Sequence, residues 1–225
     1  MERIDDLQYK GLKLIQDDEL FCFGCDAVEL ANFVKGSNAD ACDLGCGNGI
    51  IATLIAAKRG MRVTGVEIQP ESASLAERNA RLNSLADRIE IVCARMQDFA
   101  AQSANVGRFK VVVANPPYRK QGSGFKQESR AVAVARHELE VTLSEVISCA
   151  SRLLSSGGKF YTVGQSQRLA ETLNLCTQFK LTPKVLQILR PCEQKPPHLF
   201  LLECKKDGRD GVIILPERSI RSDGV

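Results

Sequence analysis

The spacing of hydrophobic and polar positions changes several times along the chain. Leu12-Lys13-Leu14-Ile15 and Leu20-Phe21-Cys22-Phe23 are apolar runs around Gln16-Asp17-Asp18-Glu19, which predicts a β-hairpin. Asp26 is placed to cap a helix over 27–34, with Val28, Leu30, Ala31 and Val34 on its apolar face. From residue 39 strands and helices alternate. Strands are expected over 39–44, 62–67, 89–93 and 109–114, and a helix over 50–58. A second helix opens at Pro70, a good first helical residue, and turns Leu75, Ala76, Ala80 and Leu82 inward. A helix over 143–154 should stop at Ser155-Ser156-Gly157-Gly158. A strand over 159–163, a helix over 166–179 and strands over 185–189 and 199–204 complete the pattern. Residues 212–215 could lie along the body. Continuously apolar strands between helices, as in Val111-Val112-Val113, indicate an α/β fold with a mostly parallel sheet covered on both faces.

At 225 residues the chain fits one compact domain, read as an entry segment of residues 1–36 followed by a main body of 37–225. Hydrophobic residues make up 44% and charged residues 25%, which excludes collagen-like, coiled-coil and wholly disordered classes. No apolar run reaches the ~18 residues of a membrane span, and Met1-Glu2-Arg3-Ile4-Asp5-Asp6 is too polar for a secretory signal. A cytoplasmic protein is expected. The nine cysteines then read as reduced thiols. Cys22 and Cys25 have ligand-like spacing but no second pair to complete a zinc site, so no metal is expected.

Charge is asymmetric. Residues 1–115 carry 13 Lys and Arg against 16 Asp and Glu, whereas residues 116–225 carry 17 against 11. The densest stretch holds Arg119, Lys120, Lys126, Arg130 and Arg136 against Glu128 alone. Such a surface suits a polyanionic partner; a solvated loop is the plainer alternative.

Two segments carry candidate chemistry, both at the ends of predicted strands. Asp43-Leu44-Gly45-Cys46-Gly47-Asn48-Gly49 has glycines at alternate positions, which let backbone approach a ligand closely. Glu67 closes the next strand, where a carboxylate can accept from both hydroxyls of a ribose. The loop is GxGxG preceded by an acid, not the GxGxxG that holds a pyrophosphate. That suits a nucleoside without phosphate and with a positive centre. Asn115-Pro116-Pro117-Tyr118 follows the fourth strand of the alternating series. Its prolines remove two backbone donors and stiffen the chain, leaving amide and carbonyl acceptors for an amino group and a ring to stack on a base.

The glycine loop, Val66-Glu67 and Asn115-Pro116-Pro117-Tyr118 together resemble S-adenosylmethionine-dependent methyltransferases that methylate amines. Within these, Ile15-Gln16, Phe23-Gly24-Cys25-Asp26-Ala27-Val28, Ala135-Arg136-His137-Glu138 and the hairpin over 184–204 resemble the adenine-N6 methyltransferases of valine tRNA. The similarity spans residues 4–216. It implies a Rossmann-like class I methyltransferase fold, with a seven-stranded, mostly parallel sheet and an antiparallel C-terminal hairpin. It implies S-adenosylmethionine as cofactor and tRNA as partner. Asp43, Gly45, Gly47 and Asn48 would line the cofactor's methionine end, Glu67 its ribose and Ile68 its adenine. Phe23 and Asp26 would lie in the segment that covers the cofactor. Asn115 would sit between cofactor and substrate; with Pro116 it would bind the target amine, and Tyr118 would stack on the base. Arg119, Lys120, Lys126, Arg130 and Arg136 would contact RNA. The family's Gly-Asp pair after the third strand of the series is Ala94-Arg95 here, so Asp98 is the nearest acid for the adenine. His137 reads as an RNA-contacting or structural residue, because the departing proton needs no dedicated base. A ribosomal RNA base or a protein glutamine amide is the alternative acceptor, and an RNA-binding module without transfer activity is the non-enzymatic one.

Overall fold

The computed structural model describes residues 1–18, 20, 24–116, 141–192 and 194–220. Strands β1 (Glu2–Asp6) and β2 (Lys13–Asp17) form a two-stranded antiparallel hairpin, followed by helix α1 (Cys25–Phe33). The alternating part comprises β3 (Asp40–Leu44), α2 (Ile50–Arg59), β4 (Arg62–Glu67), α3 (Pro70–Leu82), β5 (Ile89–Cys93), α4 (Met96–Ala101) and β6 (Phe109–Ala114). Then come α5 (Leu143–Leu153), β7 (Leu154–Gln165), α6 (Leu169–Gln178), β8 (Leu181–Arg190), β9 (Leu199–Lys206) and β10 (Ile213–Ser219).

The main sheet has eight strands in the order β10-β8-β9-β7-β6-β3-β4-β5. Strands β3 to β7 are mutually parallel, and β9 runs antiparallel to both β7 and β8. The expected class I sheet is therefore present, with an eighth strand added at its edge. That strand, β10, pairs parallel with β8. Its side chains are mostly exposed, so backbone hydrogen bonds and the ion pair of Glu217 with Arg190 carry the pairing, while Arg218 reaches Glu29 on α1. Exposure on both faces leaves no apolar alternation to mark it as a strand.

Of the expected entry hairpin only the first arm can be followed, because residues 21–23 of the second arm lie outside the described residues. β2 takes in most of the predicted run and extends through Gln16 and Asp17, and it pairs with Glu2–Asp6, in register from Glu2 opposite Asp17 to Asp6 opposite Lys13. β1 is almost wholly exposed and polar, so it carries no strand signal in its hydropathy. A bidentate ion pair from Arg78 to Glu2 ties it to α3.

Residues of β6 show why the sheet reads as continuously apolar. Val111 and Val113 enter a core beneath α1 and α2 with Leu14, Leu30, Ile55 and Tyr161. Val112 and Ala114 enter the opposite core with Phe99, Ile147, Leu153 and Phe160. Burial of such a side chain contributes about 1.5–3 kcal/mol. β7 begins at Leu154, directly after α5, and not at residue 159. Phe109 pairs with Leu154 and Val111 with Lys159, so the intervening Ser-Ser-Gly-Gly is looped out of register. Leu82, expected to face inward, is 42% exposed; buried Asn79 takes part in that face instead.

Candidate active site

Strand order reverses between β3 and β6, and ligands of open α/β sheets bind in the crevice beyond such a reversal. Leu44 of β3 pairs with Ala114 of β6, so the glycine loop and Asn115 leave the sheet side by side. Leu44 also pairs with Val66 of β4, which brings Glu67 alongside.

The loop is anchored on β4, where Gly45 and Cys46 N–H donate to the Val66 carbonyl at 2.8 and 3.1 Å. Gly45, Gly47 and Gly49 all take left-handed backbone, at φ 71°, 54° and 81°. Gly49 is also required for space, since a Cβ there would lie 3.1 Å from the Ala76 Cβ on α3. The turn then opens α2 directly.

Three side chains face the loop from below and beside it. Glu67 is buried and accepts from Gly47 N–H through Oε2 and Gln69 N–H through Oε1, both at 2.9 Å. Asp43 is fully buried. Its Oδ2 accepts from Ala52 N–H at 3.2 Å, and its Oδ1 has no hydrogen-bond partner. Loss of water pushes the Asp43 carboxyl up to about 7; the Ala52 bond opposes this and the nearby Glu67 charge adds to it. Asn48 accepts from Ile50 N–H at 3.3 Å, while its buried Nδ2 also lacks a partner. A buried acceptor at the end of β3 and a buried donor in the loop that follows thus stand open, and unpaired polar groups are costly there unless a ligand satisfies them.

Ile68, half-buried, follows Glu67, and its carbonyl accepts from the exposed Cys93 thiol at 3.9 Å. Asp98 is exposed in the first turn of α4, and Arg95 caps that helix without a side-chain bond. Asn115, half-buried, is the first residue beyond β6, and its Nδ2 donates to Asp26 Oδ2 at 3.2 Å. Asp26 does not cap α1 as expected; Gly24 occupies the cap and Asp26 lies inside the first turn. Pro116 borders a recess with Leu143, Thr162, Gln165, Arg168 and Phe200. The structure therefore gathers Asp43, Gly45, Gly47, Asn48 and Glu67 in one cluster and Asp26 with Asn115 in another. Phe23, Tyr118, Arg119, Lys120, Lys126, Arg130, Arg136 and His137 lie outside the described residues.

Residues 27–187 match the family model of the methyltransferase small domain. The chain belongs to this family. A relative of this methyltransferase in Porphyromonas gingivalis, named tRNA1(Val) (adenine(37)-N6)-methyltransferase, is 33% identical over 207 residues, covering 88% of this chain and 80% of the relative. Among solved structures, a predicted O-methyltransferase from Agrobacterium tumefaciens superposes with a TM-score of 0.67 at 22% identity, covering 86% of this chain and 85% of that one. Geranyl diphosphate C-methyltransferase from Streptomyces coelicolor A3(2), solved with S-adenosyl-L-homocysteine, gives 0.61 at 17% identity, covering 81% and 77%. Both structures share the class I methyltransferase fold.

The methyltransferase has a further supporting residue that hydropathy did not reveal. Asn79 is fully buried on α3. Its Oδ1 accepts from Ile15 N–H at 2.7 Å, and its Nδ2 donates to the carbonyls of Ile15 at 3.0 Å and Asn48 at 2.9 Å. Asn83, one turn on, accepts from Lys13 N–H at 2.9 Å and donates to the Lys13 carbonyl at 2.7 Å. Two asparagines four apart thus imitate a neighbouring strand along the edge of β2. The available signal was a polar residue at a position where α3 otherwise buries Leu75, Ala76 and Ala80.

Proposed function

We propose that this methyltransferase transfers a methyl group from S-adenosylmethionine to the exocyclic N6 amine of an adenine in tRNA, beside the anticodon of valine tRNA. The observation that carries the reading is the Leu44–Ala114 pairing, which sets Asn115 next to the glycine loop. The names of the relatives support the choice of acceptor.

The residues present fit the cofactor. Asp43 Oδ1 and Asn48 Nδ2 offer a buried acceptor and donor that the protein leaves open. In this reading Asp43, Gly45, Gly47 and Asn48 hold the methionine end, Glu67 holds the ribose, and Ile68 and Asp98 flank the adenine. Residues 1–36 cover the site and 37–225 form the methyltransferase body. When bound, the cofactor supplies a methyl group activated on a sulfonium.

The chain's own task is orientation. An exocyclic adenine amine is a poor nucleophile because its lone pair is shared with the ring. Asn115 Oδ1 and the Pro116 carbonyl accept its two hydrogens and hold the lone pair toward the cofactor. Orientation of this kind supplies several kcal/mol, and the same acceptors stabilise the positive charge that develops on nitrogen. The base leaves its stack to reach the crevice, and Tyr118 offsets part of that cost. The basic segment Arg119 to Arg136 holds the RNA. The enzyme acts in the cytoplasm; among the described residues no helix is long and apolar enough to cross a membrane.

The test is mass spectrometry of nucleosides from unmodified valine tRNA incubated with the protein and S-adenosylmethionine. N6-methyladenosine is expected. Methylation of ribosomal RNA or of a glutamine peptide, with valine tRNA unmodified, would reassign the substrate.

A further inference from the structure

Asp26 spans two parts of the chain. It lies in the first turn of α1, 9% exposed, and its Oδ2 accepts from Asn115 Nδ2, at the end of β6, at 3.2 Å. Its Oδ1 accepts from Ala27 N–H at 2.9 Å. We propose that Asp26 is a positioning residue that fixes which end of the Asn115 amide faces the substrate. This rests on the reading above, in which Asn115 accepts from the target amine.

The argument begins from the shape of an amide. Its oxygen and NH2 ends are nearly the same size, and a half-turn of the side chain exchanges them. Only the oxygen can accept from an amine. A flipped Asn115 would present donor to donor and repel the group it must hold. A carboxylate can only accept, so Asp26 retains Nδ2 on its own side and leaves Oδ1 directed elsewhere.

The Asp26 side chain is in turn confined. A Cβ added at Gly24 would lie 2.7 Å from Asp26 Oδ1. Gly24 has φ −104° and ψ 176°, extended backbone that any residue adopts, so the glycine is needed there for space and not for conformation. A side chain at residue 24 would displace the carboxylate from Asn115 without straining the backbone.

The experiment uses the full chain, a valine tRNA transcript and single-turnover kinetics at saturating substrate, with S-adenosylhomocysteine binding measured by calorimetry. Asp26→Ala and Gly24→Ala should each slow transfer on the order of 10-fold, with KM for tRNA and S-adenosylhomocysteine affinity little changed. Asn115→Asp alone sets two carboxylates against each other and should be slow. Adding Asp26→Asn restores a donor facing an acceptor, so the double variant D26N/N115D should be faster than N115D by about 10-fold. A double variant no faster than N115D overturns the proposal, as does Asp26→Ala at the wild-type rate while Asn115→Ala is slow. In that last case the amine-binding role of Asn115 stands. Asn115→Ala at the wild-type rate overturns that role itself. Loss of S-adenosylhomocysteine binding in Asp26→Ala would move Asp26 to the cofactor and overturn the proposal.

Discussion

The Asn79 side chain joins β2 to the glycine loop: one amide bonds both backbone groups of Ile15 and the carbonyl of Asn48. The entry hairpin and the glycine loop therefore share a single buried anchor. Asn79→Ala leaves three backbone groups short of a partner. A loss of roughly 2–3 kcal/mol is expected, read from urea unfolding midpoints, together with weaker S-adenosylhomocysteine binding. Unchanged binding in a destabilised variant would confine Asn79 to structural support.

Asp43 gives the protein without cofactor a pH dependence of defined sign. Its ordinary value is 3.8, and burial first of all raises it to about 7 in the folded chain. Below about pH 4 both folded and unfolded states hold the proton. Between about 4 and 7 the unfolded state releases it first, so the folded state binds more protons and stability falls as pH rises. The full contribution, roughly 4 kcal/mol, is gone above about 7. Asp43→Asn stays neutral throughout. Wild-type stability relative to this variant should decline from pH 4 to 7 and then level off. Parallel profiles in urea would contradict the assignment.

Glu67 already accepts from two backbone N–H groups, which fixes its carboxylate at the end of β4 with lone pairs to spare. Glu67→Ala should weaken S-adenosylhomocysteine binding by about 100-fold, the loss of charge-assisted bonds to two hydroxyls. Calorimetry checks this. Tight binding of a nicotinamide dinucleotide by the wild type would instead overturn the nucleoside reading of the GxGxG loop.

The parts of the fold legible in the sequence are those where burial is two-sided or a backbone requirement is strict. β6 is apolar at successive positions because it feeds two cores, and Pro70 marks the start of α3 because its missing N–H is harmless there. β1 and β10 were illegible because exposed strands show no alternation; their pairing rests on backbone bonds and ion pairs. The glycine loop was readable as a motif, since Gly45, Gly47 and Gly49 need left-handed backbone. The Asp26–Asn115 bond was not, because two residues 89 apart in sequence carry no local sign of their contact.

Tyr118 is assigned a stacking role, and stacking uses the ring and not the hydroxyl. Tyr118→Phe should be nearly neutral. Tyr118→Ala should lose about 1–3 kcal/mol, by analogy with single-strand binders, in both tRNA affinity and transfer rate. Cofactor affinity should not change. A Phe variant as impaired as the Ala variant would show that the hydroxyl contacts substrate.

The basic segment makes a prediction in a different observable. Each phosphate neutralised by Lys or Arg releases condensed counterions, so log affinity falls linearly with log salt. Arg119, Lys120, Lys126, Arg130 and Arg136 face only Glu128 within their stretch, and the segment begins directly after the residues assigned to the target base. Neutralising Lys120, Lys126 and Arg130 together removes up to three phosphate contacts. For single-stranded or helical RNA the salt slope should flatten by about 2–3, with S-adenosylhomocysteine binding unaffected. Filter binding from about 30 to about 300 mM salt, roughly a decade of ionic strength around the physiological value, reads the slope directly. An unchanged slope would move the RNA surface to the β8–β9 hairpin, which carries Lys184 and Lys195.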